Sequence, residues 1–149
     1  MSVNTLGSKM MSKVTRFGVS LEDELLNKFD ALLERVGYRN RSEAIRDLIR
    51  NRLVKQDWKD EDKEIVGILS LVYNHEKSEV TEKLNHIQHE HIGAIVSTTH
   101  IHLDSHNCLE VVILKGKSRD IEKISDLLQS TKNVKHGGLL RTTTGEKLE

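Results

Sequence analysis

From Lys13 to Leu21 the chain alternates. Phe17, Val19 and Leu21 fall on one side, Arg16, Gly18 and Ser20 on the other, which is the period of a short, half-buried strand. The period then lengthens. Leu21, Leu25, Phe29, Leu32, Leu33 and Val36 follow helical spacing, with Ser20 as the expected N-cap, acids in the first turn and Gly37 as the stop. Asn40-Arg41-Ser42-Glu43 opens a second helix with a cap followed by Glu three residues on. Ala44, Ile45, Leu48, Ile49 and Leu53 form its apolar stripe, and Arg46, Arg50 and Arg52 give it a basic surface. After the polar stretch 56–63, Ile65 to Tyr73 reads as a strand. Lys77 to His91 reads as a helix with Val80, Leu84, Ile87 and His91 on one side. Ala94–Thr99 and Leu109–Leu114 are apolar and β-branched, so both are expected strands. The polar residues Asp104 to Asn107 join them as a hairpin. Ser118-Arg119-Asp120 begins a helix with Ile121, Ile124, Leu127 and Leu128 as its stripe, and Val134 to Thr143 is the last strand.

The pattern predicts an α+β chain of two parts. Residues 64–149 have the order β-α-β-β-α-β, the split βαβ or ferredoxin-like arrangement. Its helices would cover one sheet face and leave the other free to pack on a partner chain. Residues 13–55 have one strand and two helices, too little to close a core alone, and a lone strand leaves its edge unpaired. Pairing with the same strand of a second chain gives an intertwined dimer, a two-stranded antiparallel ribbon over four helices. Such a ribbon fits the major groove of DNA. Arg16, Gly18 and Ser20 would then point at base edges, and backbone N–H groups near Arg41 and Ser42 would hold phosphate. The sequence of strand, capped helix, Gly and Asn-Arg-Ser-Glu-Ala-Ile-Arg resembles the ribbon-helix-helix DNA-binding fold. Residues 56–63 are the expected linker, with Trp58 as its anchor, and residues 1–12 a flexible N-terminal tail.

Charge sharpens this division. Over the whole chain of 149 residues the formal net charge is zero. Residues 1–55 carry 11 Lys and Arg against 7 Asp and Glu, a net of +4. Residues 56–149 carry 12 against 16, a net of −4, and all eight histidines. A basic part joined to an acidic, His-rich part suits a nucleic-acid binder fused to a second function. Aromatic residues are only 3%, so the core is aliphatic. The single cysteine excludes an intrachain disulfide and favours a reducing compartment. Residues 1–12 lack the apolar run of a signal peptide, and no run approaches the ~18 apolar residues of a membrane span. The expected location is cytoplasmic.

The candidate chemistry lies in His100-Ile101-His102-Leu103-Asp104-Ser105-His106-Asn107-Cys108. Residues i and i+2 of a strand face the same side, about 6.6–7 Å apart along it. His100 and His102 can therefore converge on one ion, with Cys108 returning beside them on the paired strand. Imidazole and thiolate donors suit Ni(II), Cu(II) or Zn(II) rather than Ca or Mg. A fourth donor is available from His86, His89 or His91 on the preceding helix. His75 and His86 read as solvated, and His106, in the turn, as a false ligand.

Both parts together resemble the nickel-responsive ribbon-helix-helix repressors. The resemblance runs from about Val14 to the C-terminus. It rests on Gly37-Tyr38-x-Asn40-Arg41-Ser42-Glu43-Ala44-Ile45-Arg46-Asp47, on Tyr73-x-His75-Glu76-Lys77, on Gln88-His89-x-His91, on His100-x-His102-x5-Cys108-Leu109-Glu110, and on Leu114-Lys115-Gly116. The resemblance implies a planar Ni(II) site with His100, His102 and Cys108 from one chain and His89 from the facing chain of a homotetramer. Glu110, two residues beyond Cys108 on the same strand face, is the expected hydrogen-bond acceptor behind the ligands, and the resemblance gives Glu43 and Asp47 as acids that can hold a hard cation. One departure is Gly18, where several relatives place a polar side chain. Base readout would then lean on Arg16 and Ser20.

The function expected is a nickel-dependent repressor that binds operator DNA, with nickel-uptake genes as targets. The alternative is a ribbon-helix-helix regulator sensing a small molecule or another transition metal. An enzyme is not expected. The chain has no His-Glu-x-x-His and no Pro-Cys-x-x-Cys, and four protein ligands leave no open position for substrate.

Overall fold

Backbone hydrogen bonds decide where the periodic segments become helices and strands. The computed structural model describes residues 14–146 and Leu148, so the expected tail, 1–12, lies outside the described residues. The chain divides into two compact units between Arg46 and Asp47.

In the first unit, helix α1 (Asp23–Val36) starts later than expected. Its first backbone bond runs from Leu26 N–H to Glu22 O at 3.0 Å. Glu22, with extended φ and ψ, is therefore the cap, and not Ser20. Gly37 ends the helix at φ 86°, a left-handed conformation that costs glycine no steric strain. The Leu33 carbonyl takes N–H groups from both Gly37 (2.9 Å) and Tyr38 (3.0 Å). Helix α2 (Arg41–Asp57) opens as expected, with Asn40 Oδ1 accepting the Glu43 N–H at 2.9 Å. Residues 14–20 are not a strand in this single chain. A strand needs a ladder partner, and Phe17 and Val19 are 68% and 59% exposed.

Helix α2 runs into the expected linker as far as Asp57. Trp58 then turns inward. It is buried, its Nε1–H donates to the Thr142 carbonyl at 2.8 Å, and the Arg141 guanidinium lies 5.4 Å from its ring centre.

The second unit matches the predicted order. Strand β1 (Glu64–Asn74), helix α3 (Ser78–Glu90), strands β2 (Ile95–His102) and β3 (Asn107–Lys117), helix α4 (Ser118–Gln129) and strand β4 (Val134–Thr142) follow in turn. The sheet order is β2-β3-β1-β4, with every neighbour antiparallel. Ile65, Leu69, Leu71 and Tyr73 of β1 share one buried cluster with Val80, Leu84 and Ile87 of α3 and Ile121, Ile124 and Leu128 of α4. Burying each of the aliphatic side chains among them is worth about 1.5–3 kcal/mol. Because strand residues alternate, the other sheet face carries Val66, Ile68, Val72, Val111 and Ile113, with Ile101 and Leu140 43% and 62% exposed. Both helices pack on the first face, where Cys108 and Glu110 also point.

A candidate metal centre on three strands

The register of three strands assembles the site. His100 pairs with Glu110 and His102 with Cys108 across β2 and β3. Tyr73 pairs with Cys108 across β1 and β3. Directly opposed residues of antiparallel strands project to the same face, so all five side chains meet on the helix side of the sheet. The hairpin is held by Asp104. Its Oδ1 accepts the N–H groups of His106 (2.8 Å) and Asn107 (2.7 Å), and its Oδ2 the Asn107 amide (2.8 Å). These donors pull the Asp104 carboxyl down to about 2.

The Cys108 sulfur is fully buried and ringed by imidazoles. His100 Nε2 lies at 3.0 Å, His75 Nδ1 at 3.2 Å and His102 Nδ1 at 3.3 Å. With M–N near 2.0 Å and M–S near 2.3 Å, donors around one ion would be separated by roughly 3.0 Å at a right angle and 3.5 Å at the tetrahedral angle. The observed spacings fall in that range. The residues present therefore fit a borderline transition metal by donor type and by spacing. Burial, with Asp104 and Glu110 nearby, raises the Cys108 thiol above its usual value, so an ion must displace a proton to bind it.

Behind these candidate ligands runs a chain of hydrogen bonds. The Tyr73 hydroxyl donates to Glu110 Oε2 at 2.7 Å and lies 3.2 Å from His100 Nδ1. Burial, reinforced by Glu110, pushes the Tyr73 hydroxyl far above its usual range, so it keeps its proton. That single proton goes to Glu110, so the oxygen accepts from His100 Nδ1–H. The tautomer that follows leaves His100 Nε2 with a free lone pair, the form a metal ligand needs. Glu110, only 3% exposed, also accepts from the Gln88 side chain on α3. Gln88 in turn accepts from the Thr98 hydroxyl at 2.7 Å.

Three of the four metal ligands expected from sequence thus sit together: His100, His102 and Cys108. His89 is exposed on the last turn of α3 and is not in the one three-donor group among the described residues, which is His75, His102 and Cys108. His75 was expected to be solvated and is instead half-buried against the sulfur. The signal for it was its place just past the end of β1, opposite the hairpin. His106 pairs with Glu76 at 3.0 Å, and His86 with Glu90 at 3.5 Å, both on the surface.

The DNA-contact candidates are placed differently. Arg16, Gly18 and Ser20 are exposed ahead of α1, and Ser42 on the first turn of α2. Arg41 is gripped by Asp30 through two bonds, Nε to Oδ1 at 2.8 Å and Nη2 to Oδ2 at 2.6 Å. Glu43 and Asp47 are half-buried, one turn apart on α2, and Asp47 accepts from Arg50 at 3.3 Å.

Residues 66–142 match the family described as the NikR C terminal nickel binding domain. Residues 15–56 match the ribbon-helix-helix protein, copG family. A protein of Nitratidesulfovibrio vulgaris (strain Miyazaki F) is 56% identical over 93% of this chain and 99% of its own length. One of Thermococcus onnurineus is 52% identical over 91% and 99%, and one of Pyrococcus furiosus 51% identical over 91% and 98%. All three carry the provisional name nickel-responsive regulator.

The chain belongs to the nickel-responsive regulator family.

Members of this family are regulators and not enzymes. The ribbon-helix-helix match spans the segment 15–20 that lacks a strand partner in the single chain. A solved structure of an uncharacterised protein from Thermotoga maritima overlays on 52% of this chain and 95% of its own, with a TM-score of 0.47 at 15% identity, too distant to bear on function. No helix among the described residues is long and apolar enough to cross a membrane.

Proposed function

We propose that this chain is a cytoplasmic, Ni(II)-dependent repressor that works as a homotetramer, a dimer of dimers, on double-stranded operator DNA, with nickel-uptake genes as its targets. The observation that carries the reading is the convergence of His100 and His102 on the Cys108 sulfur, at 3.0 and 3.3 Å. His89 of a facing chain supplies the fourth donor. His100, His102 and Cys108 of one chain and His89 of another would hold the Ni(II), and its coordination would link the two chains. Tyr73 and Glu110 hold the His100 ring in its ligand tautomer, and Gln88 links Glu110 to the helix that carries His89. Since Cys108 must lose a proton, affinity falls in acid.

Two features support the assembly. Leu25, Leu32, Val36, Leu48, Ile49 and Leu53 are all more than 40% exposed in one chain, a load that an intertwined ribbon-helix-helix dimer would bury. The helix-free sheet face is apolar and would pack on a second copy. In the DNA complex, Arg16 and Ser20 read bases and Gly18 lets the ribbon approach closely. The N–H groups at Arg41 and Ser42 hold phosphate while Asp30 steers the Arg41 side chain. Glu43 and Asp47 are candidates for a hard cation on α2. For nickel to act, it must bind the DNA-competent arrangement more tightly than the other.

The test is DNA retention from the chain's own upstream region with Ni(II), without it, and after chelator. Binding that appears with Ni(II) and is reversed by chelator is expected. Equal retention in all three would turn the reading toward a small-molecule signal. Cys108→Ala should lose the nickel response with the fold intact, and Arg16→Ala should lose DNA with nickel affinity intact.

A further inference from the structure

The stretch 56–63 has the polar, charged composition of a tether, and the structure makes it something else. Helix α2 runs to Asp57, and Val54, on its last turn, packs against the buried cluster of the second unit. Trp58 follows and is a member of that cluster, only 6% exposed. Its Nε1–H donates to the Thr142 carbonyl at 2.8 Å, which pins it to the end of β4. The residues after it cap α4. Lys63 O accepts the Ser118 N–H at 3.0 Å, and Glu61 O the Arg119 N–H at 3.3 Å. Asp60 O accepts the Ser118 hydroxyl at 2.8 Å, and Ser118 is 1% exposed. A helix leaves its first N–H groups without an internal partner, and here carbonyls of the expected linker take them. On the surface, Asp62 pairs with Lys117 at 2.9 Å and with Arg119 at 3.4 Å. The same segment meets two strands. Glu64 begins β1 just after it, and Lys117 ends β3 just before Ser118. Those two residues are paired, and their ladder runs on to Tyr73 opposite Cys108, at the candidate metal centre.

We propose that residues 58–63 are a docked joint and not a tether, and that Trp58 is the positioning residue through which the nickel-binding part acts on α2 and so on DNA binding. The proposal rests on the repressor reading above and adds the place in the chain where its coupling is made. A flexible tether would let the parts on either side move independently, and nickel could then favour no arrangement of α2 over another. A seated Trp58 makes the end of α2 follow the sheet. Nickel can then contribute a differential free energy to the DNA-competent state, which is what coupling between two sites requires. The joint has the two discrete states that such coupling needs, seated and unseated.

The chain has a single tryptophan, so the joint can be read directly in the full-length protein. Trp58 emission should be blue-shifted and resist acrylamide quenching, and a solvated, freely quenched indole overturns the proposal. The coupling is read as the gain in affinity for the chain's upstream DNA that Ni(II) gives, beside Ni(II) affinity from competition with a chelator. Couplings between sites are typically about 5–150-fold. Trp58→Ala should keep Ni(II) affinity within about twofold and lose the gain. Leu128→Ala, fully buried in the last turn of α4, should lower stability and keep the gain. A Trp58→Ala chain that keeps the gain overturns the proposal, and so does a Leu128→Ala chain that loses it with Ni(II) affinity intact. If Trp58→Ala fails to fold, the double variant Asp62→Ala and Ser118→Ala, which loosens the turn alone, decides. Loss of the gain there supports the joint and a full gain overturns it. Failure of the underlying reading looks different. A native chain with no gain from Ni(II) sinks the repressor reading and this proposal with it, whereas a native gain that survives in Trp58→Ala sinks the joint alone.

Discussion

Tyr73→Phe isolates the hydrogen-bond chain behind the ligands. The ring is kept, so no cavity opens. What goes is one hydroxyl that donates to Glu110 at 2.7 Å and accepts from His100 Nδ1 at 3.2 Å. Glu110 is buried and would be left with Gln88 as its side-chain partner. A hydrogen bond to a buried charge contributes about 1.5–3 kcal/mol, and the metal-free protein should lose roughly that much in urea unfolding. The second consequence is separate. Without the tyrosine oxygen, nothing holds the His100 proton on Nδ1, and the Nε2 lone pair is no longer guaranteed. Loss of such an outer partner costs about 10–100-fold in metal affinity, readable by competitive Ni(II) titration against a chelator. The two readouts divide the argument. Lower stability with unchanged nickel affinity would refute the tautomer reasoning and leave only a structural bond. Unchanged values in both would mean the tyrosine hydroxyl does neither job.

Asp30 is held below the usual carboxylate range by its hydrogen bonds to Arg41. Its contribution to stability is therefore full above the ordinary value of about 3.9 and lost as pH falls through the depressed one. The Asp30 carboxyl shift in an NMR titration should move back up in Arg41→Gln, and an unchanged midpoint would rule the pair out. Gly67→Ala would put a Cβ 3.0 Å from both Ile121 and Leu139, and this overpacking should cost about 1–3 kcal/mol, seen as a lower melting temperature. Leu84→Ala, at a fully buried position on α3, should cost about 2–5 kcal/mol in urea unfolding, and a smaller loss would mean that the core collapses around it. Leu140→Glu places a charge on the helix-free sheet face and should lower the mass seen in sedimentation, whereas a wild-type mass would show that this face is not an interface.

Apolar runs and helical period located most of the second unit. The run Ile65 to Tyr73 is the buried-core strand β1, although its alternating burial shows only in the structure, and the helical stripe Val80, Leu84, Ile87 names the residues of α3 that are buried. The His-x-His spacing and the hairpin turn placed two imidazoles beside Cys108, because side-chain direction on a strand follows directly from sequence parity. Other features were not legible for identifiable reasons. The start of α1 depends on which carbonyl takes the first helical bond, and Glu22 does so although Ser20 has the better capping side chain. Residues 14–20 of the strand expected over 13–20 have no ladder partner among the described residues, and the pairing proposed for them lies with a second copy, which one chain's sequence does not display. His75 was read as solvated because it is distant in sequence from the hairpin and reaches the sulfur only through the β1–β3 register, in which Tyr73 opposes Cys108 and Asn74 opposes Asn107.

The same register bears on how the proposed nickel site would rank metals. β2 and β3 hold His100, His102 and Cys108 in a paired sheet, whereas the proposed fourth donor, His89, lies on the exposed end of a helix. If affinity alone ruled, the Irving–Williams order would favour Cu(II) over Ni(II) at such a donor set, so a response specific to Ni(II) would have to rest on more than affinity. Measuring DNA retention and metal affinity side by side for Ni(II), Cu(II) and Zn(II) checks this: the proposal expects the two rankings to differ, and identical rankings would refute it.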